Sequence, residues 1–163
     1  MFKKPAIIAS LIGIGVFALL NHAIYAKETL LSGGENMLLE LAPVDPRSLM
    51  QGDYMVLRYE AGIGQKTPEN RRAGWAVLEA DADGVARFLR FDDGTPLTKK
   101  QIRLRYHKSG GSISLRPASF LFQEGHGKAY EAARYGIFTH DGKGNALLTG
   151  LADGEKKPIN PKN

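Results

Sequence analysis

Residues 54–60 read Tyr-Met-Val-Leu-Arg-Tyr-Glu, with apolar side chains recurring every second position. In an extended chain this puts Met55, Leu57 and Tyr59 on one face and Tyr54, Val56, Arg58 and Glu60 on the other. The first face is the expected core face of a strand. Its entry, Gly52-Asp53, and the preceding Pro43-Val44-Asp45-Pro46-Arg47 are turn-forming, since two prolines exclude a central ladder position. Outward from this strand the pattern repeats. Asn36 to Ala42 reads as a first strand, Gly74 to Ala80 as one around Trp75, and Val85 to Phe91 as its hairpin partner across Asp81-Ala82-Asp83-Gly84. After a turn at Asp92-Asp93-Gly94-Thr95-Pro96, Gln101 to His107 alternates with Ile102, Leu104 and Tyr106 inward and Arg103, Arg105 and His107 outward.

Ser112 to Phe122 is extended and interrupted by Pro117, and Glu124 to Arg134 is rich in helix formers. Tyr135 to His140 and Ala146 to Leu151 form a closing hairpin. Ala61 to Arg72 is polar and reads as a loop, and the tail from Asp153 is expected to fray. Many short strands and one short helix predict a mainly β fold, as a compact β-barrel-like or sandwich domain.

The N-terminus is different. Met1 to Pro5 is short and positive, and no charge intervenes between Lys4 and Lys27. The stretch 6–26 approaches the ~20 residues that cross a bilayer core. It must be helical if it spans, and Lys3 and Lys4 place its start in the cytoplasm. A secretory signal ending at Ile24-Tyr25-Ala26 is the competing reading, and both export the remainder of the chain. Gly33-Gly34 is the expected stop of any helical continuation beyond Lys27. The organisation expected is a cytoplasmic 1–5, a transmembrane anchor or uncleaved signal at 6–26, a β domain at 27–152 and a polar tail at 153–163.

The 163 residues contain no cysteine, which excludes disulfides and thiolate chemistry. Net charge is +5, and two of those cations flank the apolar segment. The remaining charge is mixed along the chain, unlike the concentrated basic face of a nucleic-acid binder. No nucleic-acid partner and no cofactor are expected.

The stretch Leu41 to Glu60, LAPVDPRSLMQGDYMVLRYE, closely resembles the defining segment of the GDYXXLXY family of membrane-anchored proteins. Gly52, Asp53, Tyr54, Leu57 and Tyr59 fill the named positions. Phe120 to Gly136, FLFQEGHGKAYEAARYG, and Leu148-Thr149-Gly150-Leu151 are also similar to the family. The resemblance implies a membrane helix in place of a cleaved signal and one extracytoplasmic domain. It further implies a multi-pass inner-membrane protein as partner, and it carries over no catalytic residues.

Several constellations are candidates for chemistry. Arg47, Asp53, Tyr54 and Tyr59 either serve turn and core or line a shared groove that binds a partner, Tyr and Arg being favoured contact residues. Glu124 and Glu131 are further binding candidates, or a carboxylate pair for hydrolysis if a cleft separates them suitably. Ser48, ahead of Gly52-Asp53, loosely resembles the nucleophile of signal-peptidase-type serine proteases, but no lysine stands in a matching base motif. Glu124, His126, Glu131 and His140 lack metal-ligand spacing, so no metal is expected. The basic face Arg103, Arg105 and His107, with Lys99 and Lys100, is either a solvated strand face or a contact for anionic head groups. The expected function is a membrane-anchored periplasmic interaction module, with a membrane-tethered hydrolase as the alternative.

Overall fold

The computed structural model describes residues 3–42, 54–63, 71–109 and 112–161. Helix α1 (Lys3–Gly33) is a single 31-residue helix. The apolar side chains between Ile7 and Ile24 stay uncovered, Phe17 and Leu19 to about 70%. The helix turns its few polar groups on itself: Asn21 Nδ2 donates to the Phe17 carbonyl at 2.9 Å, and Thr29 and Ser32 donate to the carbonyls of Tyr25 and Glu28. Gly34 alone separates this helix from the first strand.

The described residues form nine strands: β1 (Glu35–Glu40), β2 (Tyr54–Val56), β3 (Ala73–Ala80), β4 (Ala86–Phe91), β5 (Gln101–Ser109), β6 (Ser112–Leu115), β7 (Ser119–Leu121), β8 (Tyr135–His140) and β9 (Ala146–Ala152). A short helix, α2 (Gly127–Tyr130), precedes β8. Antiparallel pairing gives a four-stranded sheet in the order β4-β3-β5-β6, a three-stranded sheet β1-β8-β9 and a ribbon β2-β7. The two larger sheets meet where the Leu38 amide donates to the Gly84 carbonyl at 2.9 Å, beside a parallel bridge from Leu38 to Val85. Irregularities at Val77/Leu78 against β4 and at Ile137/Phe138 against β9 bend the ladders. The sheets curl into a half-barrel.

The alternation read from the sequence sets the core. Ile102, Leu104 and Tyr106 are buried with Met37, Leu39, Leu78 and Phe138 inside the curl. A second cluster holds Leu41, Met55, Leu57, Tyr130, Ala133 and Leu151. Tyr59 and Leu148 pack against both clusters and couple them.

Four expectations are corrected. Regular strand stops at Val56, because Leu57 already donates to the Ala118 carbonyl and Tyr59 bridges to Leu41. Ala61 and Ile63, in the stretch read as a polar loop, are core residues, held near β4 by the Phe88 amide on the Ala61 carbonyl at 2.7 Å. The helix read over 124–134 shrinks to one turn. Gly125 adopts φ +84, and Arg134 donates to Ala152 and accepts from Leu41, which commits it to the sheet. The tail folds back through Pro161: Ile159 packs on the second cluster, and its amide donates to the Leu151 carbonyl at 2.9 Å.

Candidate functional site

The second cluster has a distinctive origin in the chain. Leu41, Met55, Leu57 and Tyr59 come from the 41–60 stretch. Phe120, Phe122, Tyr130 and Ala133 come from 120–136, and Leu148 and Leu151 from the last strand. Segments distant in sequence are therefore packed into one body. Tyr130 is its hub, with ring centroids 5.3 Å from Phe120 and 5.2 Å from Phe122. Such aromatic pairs add to the stabilisation from burial alone.

Above this cluster lies an open cleft of about 380 Å³. Its apolar floor is Leu41, Met55, Leu57 and Ala133. Its walls carry three carboxylates, Glu40, Glu60 and Glu131, and two guanidinium groups, Arg58 and Arg134. Backbone pairing builds the walls. Ala42 donates to the Arg58 carbonyl at 2.8 Å and Glu60 to that of Glu40 at 2.9 Å, which sets strand β1 against residues 58–60. On the other side of β1, Leu41 donates to the Arg134 carbonyl at 2.8 Å. Because Met55 and Leu57 point down, Val56 and Arg58 turn to the rim. An apolar floor ringed by charges of both signs suits a polypeptide segment with mixed charge.

The residues singled out from the sequence fare differently. Arg47, Ser48, Gly52 and Asp53 lie outside the described residues; Ala42 and Met55, the first cleft residues on either side of that stretch, both line the cleft. Tyr54 is exposed and pairs with Leu121 across the β2–β7 ribbon. Tyr59 is half-buried, its hydroxyl donates to the Pro117 carbonyl at 2.7 Å, and its ring stands 5.9 Å from Phe138. Burial pushes its phenol well above the ordinary tyrosine range. Glu131 lines the cleft, whereas Glu124 is exposed before α2 and is not among its walls, so the two carboxylates do not form a pair across it. His126 sits at the start of α2 and His140 at the far end of β8. Among the described residues, no group of three His, Asp or Glu side chains comes together to hold a metal.

The basic face of β5 is largely engaged. Arg103 Nε lies 2.9 Å from an Asp92 carboxylate oxygen, and the Arg105 guanidinium stands 5.6 Å over the Trp75 ring. Sequence reasoning missed Glu40, Arg58, Glu60 and Arg134 as a set. Only the pairing of β1 with residues 58–60, and with the chain at Arg134, brings them to one cleft.

Compared with known proteins, the chain matches the family model described as GDYXXLXY protein over residues 16–151. No curated protein and no solved structure matches it.

Proposed function

The chain belongs to the GDYXXLXY protein family, and on that premise we propose that it is a single-pass, membrane-anchored accessory module. The β domain stands on the periplasmic face of the inner membrane, and its cleft receives a segment of a multi-pass membrane protein. The observation that carries this reading is convergence. Parts of the three stretches that resemble the family meet in one cluster, and four of its residues, Leu41, Met55, Leu57 and Ala133, form the floor of the cleft. The anchor is supported by α1, where Ile7–Gly33 is long and apolar enough to cross a bilayer and the apolar side chains from Ile7 to Ile24 stay uncovered. A helix apolar on all sides finds its favourable surroundings in lipid. The cations at Lys3 and Lys4 favour the orientation with the domain outside.

The absence of cysteine makes the test direct, since one introduced thiol is a unique label. A Glu131→Cys chain in intact cells is expected to react with an impermeant maleimide only from the outer face. A photo-crosslinker at position 131 is expected to trap a multi-pass membrane protein, and the Arg58→Glu exchange to abolish that adduct while leaving the melting temperature unchanged. Labelling only after the cells are lysed would overturn the orientation. An adduct no different from one formed with the crosslinker at Asp83, on the far hairpin, would overturn the cleft as the contact.

A further inference from the structure

A second, smaller cavity of about 190 Å³ lies where α1 meets the sheet, lined by Gly33, Glu35, Lys99, His140, Asp141 and Gly142. Its residues have a common origin in the strand pattern. Glu35 and His140 are direct cross-strand partners. They continue the inward faces of β1 and β8 past Met37 and Phe138, so they stand at the open end of the curl. The end of α1 caps that opening.

The state of each group narrows what the cavity takes. The Asp141 carboxylate is consumed by its own turn, accepting from the amides of Lys143 and Asn145 and from the Asn145 side chain at 2.6–3.1 Å. Neither Lys99 nor Glu35 has an ion-pair partner among the described residues. His140 is 3% exposed, and its Nδ1 accepts the Gly142 amide at 3.3 Å. With Nδ1 accepting, the donor this imidazole offers is Nε2–H. The groups the cavity offers are thus one ammonium, the imidazole N–H of His140 and one carboxylate. The carboxylate lies beside the electronegative C-terminal end of a long helix.

Height above the bilayer supplies the ligand. From Lys27, the first charge after the apolar span, to Gly33 the helix rises about 9 Å at ~1.5 Å per residue. The interfacial layer of one leaflet is roughly 5–7 Å deep, and tilt lowers the helix end further. The cavity therefore opens at the outer edge of the head-group layer, within reach of a head group extended from it. Its volume equals about six waters at ~30 Å³ each, room for a head group and not for acyl chains. Resting on the anchored reading above, we propose that this cavity binds the head group of a zwitterionic phospholipid, with the phosphate against Lys99 and His140 and the ammonium against Glu35. A cavity with one cation and one anion free favours a zwitterion over an anionic lipid.

The test uses the full chain in nanodiscs of phosphatidylethanolamine mixed with phosphatidylglycerol, followed by native mass spectrometry of the lipids retained. Flotation on vesicles of the same composition is run alongside, with soluble glycerophosphoethanolamine as a competitor. Wild type is expected to keep phosphatidylethanolamine in preference to phosphatidylglycerol and to release it to excess competitor. Lys99→Ala and Glu35→Ala, both at exposed positions, are expected to retain on the order of tenfold less, the loss of one charge-assisted hydrogen bond. Variants with unchanged melting temperatures that retain lipid like wild type would overturn the head-group site and leave the anchor standing. A wild type that fails to float would overturn the anchor, and the lipid as ligand with it. Competitor binding that persists without lipid preference would assign the cavity to a soluble phosphate ester and overturn the lipid source.

Discussion

Gly34 is wedged against Thr139: a Cβ at position 34 would stand 2.6 Å from Thr139 Cγ2, 2.9 Å from the His140 carbonyl oxygen and 2.5 Å from that of Leu30. The Gly34 amide closes the helix on the Leu30 carbonyl at 2.9 Å, and β1 starts at the next residue. Gly33, its neighbour, would present a Cβ to open space. Gly34→Ala is therefore expected to lower stability by about 1–3 kcal/mol through overpacking. Gly33→Ala is expected to leave it unchanged or to raise it, alanine being the better helix former. Thermal unfolding of both variants in detergent checks the contrast. Equal effects would show that Gly34 has room to shift.

Leu30, on the turn of α1 next to the domain, is buried. Leu30→Ala should cost about 2 kcal/mol, the low end for a buried leucine at the edge of a core. Proteolysis near Gly34 should accelerate in step. A variant as stable and as protease-resistant as wild type would mean that the last helical turn does not hold the domain.

Tyr59 joins the two clusters and donates to Pro117. Tyr59→Phe keeps the ring and loses the hydrogen bond, an expected cost of about 1 kcal/mol at neutral pH. The alkaline side carries a distinct signature. Burial raises the folded-state pKa above the unfolded value near 10, so the folded state holds the proton longer. Stability from this group is complete below about pH 10 and is lost as pH climbs toward the folded value. Melting temperatures of wild type should fall more steeply above pH 10 than those of the phenylalanine variant, and parallel curves would refute the assignment.

At the β3–β4 turn the Asp81 carboxylate sits below its ordinary pKa. The Val85 amide is the main cause, acting against the cost of desolvation, with the Asp83 amide and Arg87 adding to it. A depressed carboxylate contributes stability that is present above the unfolded value near 4 and lost as pH falls through the folded one. Asp81→Ala should be less stable than wild type at pH 7, with the gap narrowing at pH 3. Melting curves at the two pH values decide it.

Much of this architecture was legible because short-range rules govern it. The alternation at Met55–Leu57–Tyr59 and at Ile102–Leu104–Tyr106 picked out buried faces, and the Asp-Gly punctuation at 81–84 and 92–94 marked turns where Gly84 and Gly94 adopt positive φ. The features that escaped depend on partners distant in the chain. Ala61 and Ile63 sit in a polar stretch too short to show a period, yet the Ala61 carbonyl is tied to Phe88 and the residues are core. Ile159 is an isolated apolar residue in a polar tail, and only the Leu151 backbone reveals its use. The cleft was least visible: Glu40, Arg58 and Glu60 are the outward partners of an inward pattern, which singles out no solvent-facing residue. Glu131 was singled out for chemistry, but the partner proposed for it, Glu124, is on the surface.

The register of β1 also bears on how the molecule comes into being. Glu35 pairs with His140 and Glu40 with Tyr135, so the first strand after the helix waits for a partner about a hundred residues downstream. Pairings of such long sequence separation form slowly. A chain delivered N-terminus first would hold β1 as an open edge until nearly the whole domain had emerged, and such edges invite mispairing. Assembly is then vectorial in an inverted sense: the strand that emerges first is among the last to be satisfied.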